Sequence, residues 1–472
     1  MSYEERGETV GRGHSDDRGG ENGAFSGEQT EQIRDHRHAH ARKARSDRGG
    51  EGRALLLLGV LRGLAGPGLF SSLGVFFPLI AAAGGGSLGS LSLTVSLASV
   101  AGACFLPLAG RLYARYDFRR VTLLGAAVMA VAYALYAVSP DPVWRAVLSL
   151  PLGCGMVMLV NLMAPCYLRL RGADTGSSLG FLVALSGLIG AVFQPLLARS
   201  LAAHGWRVTY LLFGIGALAL MAAAALPLPI VPGDGGGHPA AENTGRRGNT
   251  DAVGTAGNGA ADSGAGEDRV ESHAAGGGDT RGRARAGLFF SLFLFQGVIT
   301  GFSMFHQHFS TFAAAAALPQ RTMTAALTVS MLTAAVGALL LGALTRRFGV
   351  GATGVGVLLT AGVSILLFGF VGGSTAGFLT ASALHGAASG AIGVTVPAGA
   401  RAVCPKEKYA PLLSRVMVSS PLFTLLFMQI YGVTYDRTGT FGAALLLLLA
   451  SLALTAAVWS RAFSGRRERR RA

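Results

Sequence analysis

Acidic side chains are what this chain most lacks. Asp and Glu together number 25 in 472 residues, against 40 Lys and Arg, and none falls inside a long apolar run. That absence argues against a buried carboxylate acting as a proton relay or as the counter-ion of a cationic solute. Charge of either sign is scarce, at 14% of residues, where a soluble domain carries about 25%. With 51% hydrophobic residues and a mean hydropathy of +0.47, a bilayer is the natural solvent. The four cysteines, Cys104, Cys154, Cys166 and Cys404, show no zinc or redox spacing and read as small buried hydrophobes. No apolar segment follows Met1, so no signal peptide is legible. Neither a nucleophile–base set nor a cofactor or nucleotide-binding motif is visible, which disfavours an enzyme.

What the chain does have is a long series of apolar runs, each about 20 residues and long enough to span a membrane. Six precede a polar stretch: Ala54–Ala83, Leu91–Gly110, Val121–Val138, Ala146–Tyr167, Ser177–Leu197 and Val208–Val231. Six follow it: Gly287–Ala314, Met323–Thr345, Gly351–Val371, Gly377–Ala400, Val416–Tyr435 and Thr440–Ser460. The stretch between them, residues 233–286, is rich in glycine, alanine and charge and reads as a flexible linker. Residues 1–53 and 464–472 read as polar tails. The expected organisation is therefore an all-α membrane protein, with a six-helix bundle at 54–232 and another at 287–463.

Basic residues alternate from loop to loop. Arg111, Arg115, Arg119 and Arg120, then Arg169 and Arg171, Arg346 and Arg347, and finally Arg401, Lys406, Lys408 and Arg415 fall on one side. The other side holds only Arg145, Arg199, Arg207, Arg321 and Arg437. The positive-inside rule then places both termini and the linker in the cytoplasm, as an even number of spans requires. Topology thus accounts for the net charge of +15 without nucleic acid as a partner.

The two halves also echo each other. After span two comes Gly110-Arg-Leu-Tyr-Ala-Arg115-Tyr-Asp117, and after span eight Gly342-Ala-Leu-Thr-Arg346-Arg347. A glycine at the membrane edge allows close approach of helices, and paired loops signal an internal repeat. Twelve spans, a central linker and this paired loop resemble the major facilitator superfamily over roughly Ala54 to Phe463. Shorter stretches are similar to its monocarboxylate and oxalate–formate branch: Phe76-Phe77-Pro78, Tyr167-Leu-Arg169-Leu-Arg171-Gly172, Gly205-Trp206-Arg207 and Tyr435-Asp436-Arg437-Thr438-Gly439. The resemblance implies a transporter whose spans one, four, seven and ten line a central path, and whose paired loops gate it. The gating candidates are Gly110, Arg115, Asp117, Gly342, Arg346 and Arg347. Where the family carries an Asp in the loop this chain has Ala114 and Arg346, with Asp117 as a substitute. Where the branch has a basic residue late in span one, this chain has Ser71 and Ser72.

Arg62 is the only basic residue well inside a span, in Gly59-Val-Leu-Arg62-Gly63-Leu-Ala-Gly66-Pro67-Gly68. Gly66-Pro67-Gly68 should loosen that helix and free backbone groups to line a cavity. A lone cation without an acid favours an anionic substrate; the alternative is a side chain snorkelling to the membrane edge. The other strongly polar span residues are Asn161, Gln194, Gln296, His306, Gln307, His308, His385 and Gln429. His306 and His308 read as interfacial. His385 reads either as a proton-coupling group or as a packing histidine, and Asn161 and Gln296 either as substrate ligands or as interhelical bonds. The candidate substrate set is thus Arg62, Ser71, Asn161, Gln296 and His385. These features predict secondary transport of a small organic anion, with a carboxylate as the expected class and a proton or counter-anion as co-substrate. Export of an apolar or cationic, drug-like compound and a non-transporting sensor or scaffold are the competing readings.

Overall fold

The computed structural model describes residues 52–139, 141–171, 175–228, 277–404 and 406–468. The tails and tether expected at 1–51, within 229–276 and at 469–472 lie outside them. Ten continuous helical runs are long and apolar enough to cross a membrane. Two of these are double. Gly205 (φ 74°) breaks the run Gly180–Ala225, and Gly349 (φ 81°) breaks Gln320–Phe370. At positive φ only glycine turns the chain without strain, so each glycine reverses it between two spans.

Twelve spans result among the described residues. The first set is α1 (Gly52–Ala82), α2 (Leu88–Arg115), α3 (Phe118–Val138), α4 (Pro142–Tyr167), α5 (180–204) and α6 (206–225). The second is α7 (Ala286–Ala315), α8 (320–348), α9 (350–370), α10 (Thr375–Ala402), α11 (Leu412–Thr438) and α12 (Gly442–Phe463). From Leu55 onward the described residues form one compact unit. Helix starts follow local chemistry: Ser87, Asp117, Asp141 and Ser374 each accept a hydrogen bond from a first-turn N–H. Left-handed Gly439 (φ 69°) ends α11, at the place in its half that Gly205 holds in the other.

Several boundaries differ from expectation. The helix entering α7 begins at Gly277, inside the stretch read as linker, and α12 runs on to Glu468, inside the expected tail. Alanine and arginine propagate a helix once an apolar span has nucleated it. α4 starts at Pro142 and takes in Arg145; α11 continues to Thr438 and takes in Asp436.

Glycine sets the packing within each half, and it does so twice in the same way. Gly59 and Gly63 of α1 lie against Leu185 and Ile189 of α5; Gly297 and Gly301 of α7 lie against Phe423 and Phe427 of α11. The two segments read Gly-Val-Leu-Arg-Gly and Gly-Val-Ile-Thr-Gly. Small residues four apart let helices approach closely in lipid, where dispersion rather than water expulsion drives association. Outward faces are apolar throughout, with Phe370 83%, Leu446 69% and Val192 63% exposed, surfaces that only a lipid environment tolerates.

Candidate functional site

Four helices depart from regular α geometry near the middle of the bundle, two in each half. α1 widens into a π segment at Leu64–Phe70 around Pro67, and α4 does so at Val157–Leu162. α7 tightens into a 3₁₀ turn at Phe305–His308, and α10 at Gly390–Gly393. Such interruptions redirect backbone carbonyls and recur at functional sites. The π segments of α1 and α4 face each other, since a Cβ on Gly66 would lie 3.3 Å from the Val160 side chain.

Arg62 sits immediately before the α1 π segment, half-buried, and its guanidinium donates to the Val160 carbonyl in the α4 π segment. The side chain thus points across the N-terminal bundle at α4, away from lipid. Ten residues from the start of α1, it lies roughly 15 Å along the helix. Among the described residues, one guanidinium nitrogen has a protein acceptor and no ion pair forms with the group. The α1 distortion has a matching anchor: Gln194 of α5 donates to the Pro67 carbonyl at 3.3 Å.

The other sequence candidates separate. Asn161 follows Val160 and is exposed. Ser71 closes the π segment through its backbone N–H, bonded to the Gly66 carbonyl, and is half-buried. Its neighbour Ser72 is the structural one of the pair, bonded to Leu69 O at 2.8 Å and to the Tyr133 hydroxyl at 2.7 Å. Gln296 is buried and donates to Ser420 of α11 at 2.8 Å and to Thr300 at 3.3 Å. His385 is buried, with Nε2 3.0 Å from the Phe302 carbonyl and Nδ1 3.4 Å from the Ser330 hydroxyl. Its ring is packed by Phe302 and Phe309. One tautomer satisfies both bonds: Nε2–H donates and Nδ1 accepts. His385 is therefore bonded at both ring nitrogens, while Gln296 spends its amide N–H on Ser420 and Thr300 and keeps a buried Oε1 without a partner among the described residues.

His306 and His308 correct the interfacial expectation. His308 is fully buried, ringed by Phe77 of α1, Tyr431 of α11 and Phe441 of α12. His306 is bonded through Nδ1 to the Ser303 carbonyl at 2.6 Å. The 3₁₀ turn carries His308 into the seam against Phe77 of the other half, while His306 stays within its own half beside Ser303 and His385.

That seam was not legible in the sequence. Gln307 of α7 accepts from Gly74 N–H at 2.8 Å and donates to the Phe70 carbonyl at 3.0 Å, while Ser310 donates to the Gly74 carbonyl. A Cβ on Gly74 would stand 1.8 Å from the Gln307 carbonyl oxygen, so only glycine permits this approach. Further along, the Asp436 carboxylate of α11 accepts from Leu88 and Gly89 N–H of α2 at 2.9 and 2.8 Å. An anion on a helix N-terminus is held by free N–H groups and the helix dipole. Gln429 reaches Ser96 at 3.3 Å. Apolar contacts continue the seam at Gly187 and Gly190 of α5, against Met331 and Ala335 of α8.

Arg111, Arg115, Arg120, Arg346 and Arg347 are exposed at one end of the bundle, the basic face. All the polar contacts between halves among the described residues lie nearer the other end or at mid-depth. The gating glycines make no close approach: a Cβ on Gly110 would meet nothing within 4 Å, and one on Gly342 only the Arg346 guanidinium at 3.9 Å. Asp117 caps α3 through Arg120 N–H at 3.3 Å rather than joining the halves. The halves are closed opposite the basic face and, among the described residues, lack polar bridges beside it.

The comparisons with known proteins agree with this architecture. A profile described as Major Facilitator Superfamily matches residues 63–319. A crystal structure of the nucleoside transporter NupG superposes with a TM-score of 0.64 at 11% identity, covering 88% of this chain and 99% of that one. A crystal structure of a point mutant of the same transporter gives 0.67 at 12% identity, covering 88% and 100%. At such identity the likeness is one of fold. A sequence search of curated proteins finds no match.

Proposed function

We propose, from the premise that this chain belongs to the Major Facilitator Superfamily, that it carries a small organic anion, a carboxylate, by alternating access with Arg62 as counter-ion. Membership makes the chain an integral multi-pass membrane transporter and not an enzyme. The observation that carries the substrate reading is the Arg62 guanidinium. It is held inside the bundle by one carbonyl at the meeting of two π segments, and no acid among the described residues neutralises it. A carboxylate would take the remaining donors in charge-assisted bonds, with Asn161, next to the Val160 carbonyl that Arg62 holds, and Ser71, roughly 13 Å further along α1, as the groups that would meet the rest of the solute. The affinity of this site then falls to one ion pair made only when substrate is present. Resemblance of short stretches to the monocarboxylate and oxalate–formate branch supports the same class.

Placing the basic face in the cytoplasm, as its arginines favour, makes this an inward-facing form sealed on the outside. Rocking of the two halves would break the Gly74–Gln307 and Asp436 contacts and bring Gly110 and Gly342 into close approach. The test is uptake into proteoliposomes of labelled mono- and dicarboxylates, with nucleosides in parallel. Arg62→Gln should raise KM for the carboxylate by about tenfold to a hundredfold, the worth of a charge-assisted bond, and Arg62→Lys should recover part of it. Unchanged KM in a folded Arg62→Gln protein, or nucleoside uptake that carboxylates do not inhibit, overturns the anion reading.

A further inference from the structure

α8 and α9 part on their lipid side near the basic face, leaving a furrow of about 350 Å³. One wall is Leu340, Leu344 and Phe348 of α8; the other is Ala352, Gly356 and Thr360 of α9. Each set recurs every four residues, so each forms a stripe along its helix, and the stripes run about 12 Å, most of the depth of one leaflet. α10 closes the back at Ala387 and Ala388. The α9 wall is nearly bare: Ala352 and Gly356 are exposed, and a Cβ on Gly356 would meet nothing within 4 Å. A volume of about 350 Å³ holds a stretch of hydrocarbon chain and is too small for a helix, whose diameter is about 10 Å.

The mouth is positively charged. Arg346 and Arg347 are exposed in the last turn of α8, and the Arg347 guanidinium lies 5.4 Å over the ring of Phe348, itself part of the wall. No Asp or Glu occurs anywhere from Gly287 to Pro405, so no acid near in sequence competes for these cations. The furrow therefore joins an apolar slot to the Arg347 guanidinium at headgroup depth, the two ends of one amphiphile. We propose that it binds one acyl chain of an anionic phospholipid from the leaflet on the basic face, with the phosphate held by Arg347. The proposal stands whether or not Arg62 contacts substrate.

Native mass spectrometry of the full chain, released from micelles doped with equal phosphatidylglycerol and phosphatidylcholine, tests it. The wild type should retain one phosphatidylglycerol per chain in preference to phosphatidylcholine. R347Q should cut that preference about fivefold, from the usual worth of about 1 kcal/mol for one surface arginine near anionic lipid. Gly356→Leu fills the slot from the open side and should abolish retention of the lipid without lowering the melting temperature in lipid-free detergent; Ala352→Leu serves as a second filler. Equal retention of both lipids by the wild type overturns the headgroup assignment. Phosphatidylglycerol retained undiminished by both filled variants overturns the furrow.

Discussion

Gly74→Ala is the smallest change that should move this protein between conformations. The added methyl would stand 1.8 Å from the Gln307 carbonyl oxygen and 2.5 Å from its Cα. These are backbone atoms that no rotamer change can displace, so α1 and α7 must separate by roughly 1.5 Å to reach van der Waals distance. At that separation the bonds now at 2.8 and 3.0 Å, and the one from Ser310, pass beyond useful length. Three bonds at about 1 kcal/mol each amount to about 3 kcal/mol, roughly a hundredfold shift away from the form closed at this seam. The assay is alkylation of a reporter in the seam, Phe77→Cys, in a background with the four native cysteines replaced by serine. A membrane-impermeant maleimide added on the face opposite the basic loops should label the Gly74→Ala form about a hundredfold faster. Carboxylate uptake should slow, because a form that cannot close cannot complete the cycle. Equal labelling rates, with both proteins inserted and equally stable, would refute the claim that this seam holds the halves together.

The same assay reads Asp436. Asp436→Ala removes the anion from the α2 N-terminus and should weaken closure by about 1–2 kcal/mol, giving roughly tenfold faster labelling. Gly301→Ala would bring a methyl to 2.2 Å from the Phe427 ring; overpacking of this kind costs about 1–3 kcal/mol. A lowered melting temperature, recovered in part by adding Phe427→Ala, is the expected outcome. His385→Phe strands the Ser330 hydroxyl and the Phe302 carbonyl in the core, at a cost of about 1–3 kcal/mol, but should leave the pH profile of uptake unchanged. A displaced profile in that variant would restore His385 as a proton carrier.

Some of the site was legible because its causes are local. Gly66-Pro67-Gly68 cannot hold a regular helix, and the π segment is where that triplet stands. The positions of Gly205 and Gly439 between spans followed from short polar breaks in apolar runs. Two signals went unread. The Gly-Val-x-x-Gly pair at 59–63 and 297–301 would have exposed the repeat inside the helices, not only in the loops. Tyr435-Asp436-Arg437 held the seam's anion, but an Asp one residue past an apolar run reads as a loop residue.

From composition and apolar periodicity alone came the solvent, the number of spans, the doubling of the halves and the placing of Arg62 inside a span. Each of these depends on residues within one helix or on their sum. The bundle contacts decided the rest. Asp436 finds its partners 347 and 348 residues away, and Gln307 finds Gly74 at a separation of 233. No local pattern specifies those pairs. Which polar group is spent on holding helices together and which is left for a solute depends on how two bundles meet, and buried donors and acceptors take whatever partner that meeting supplies.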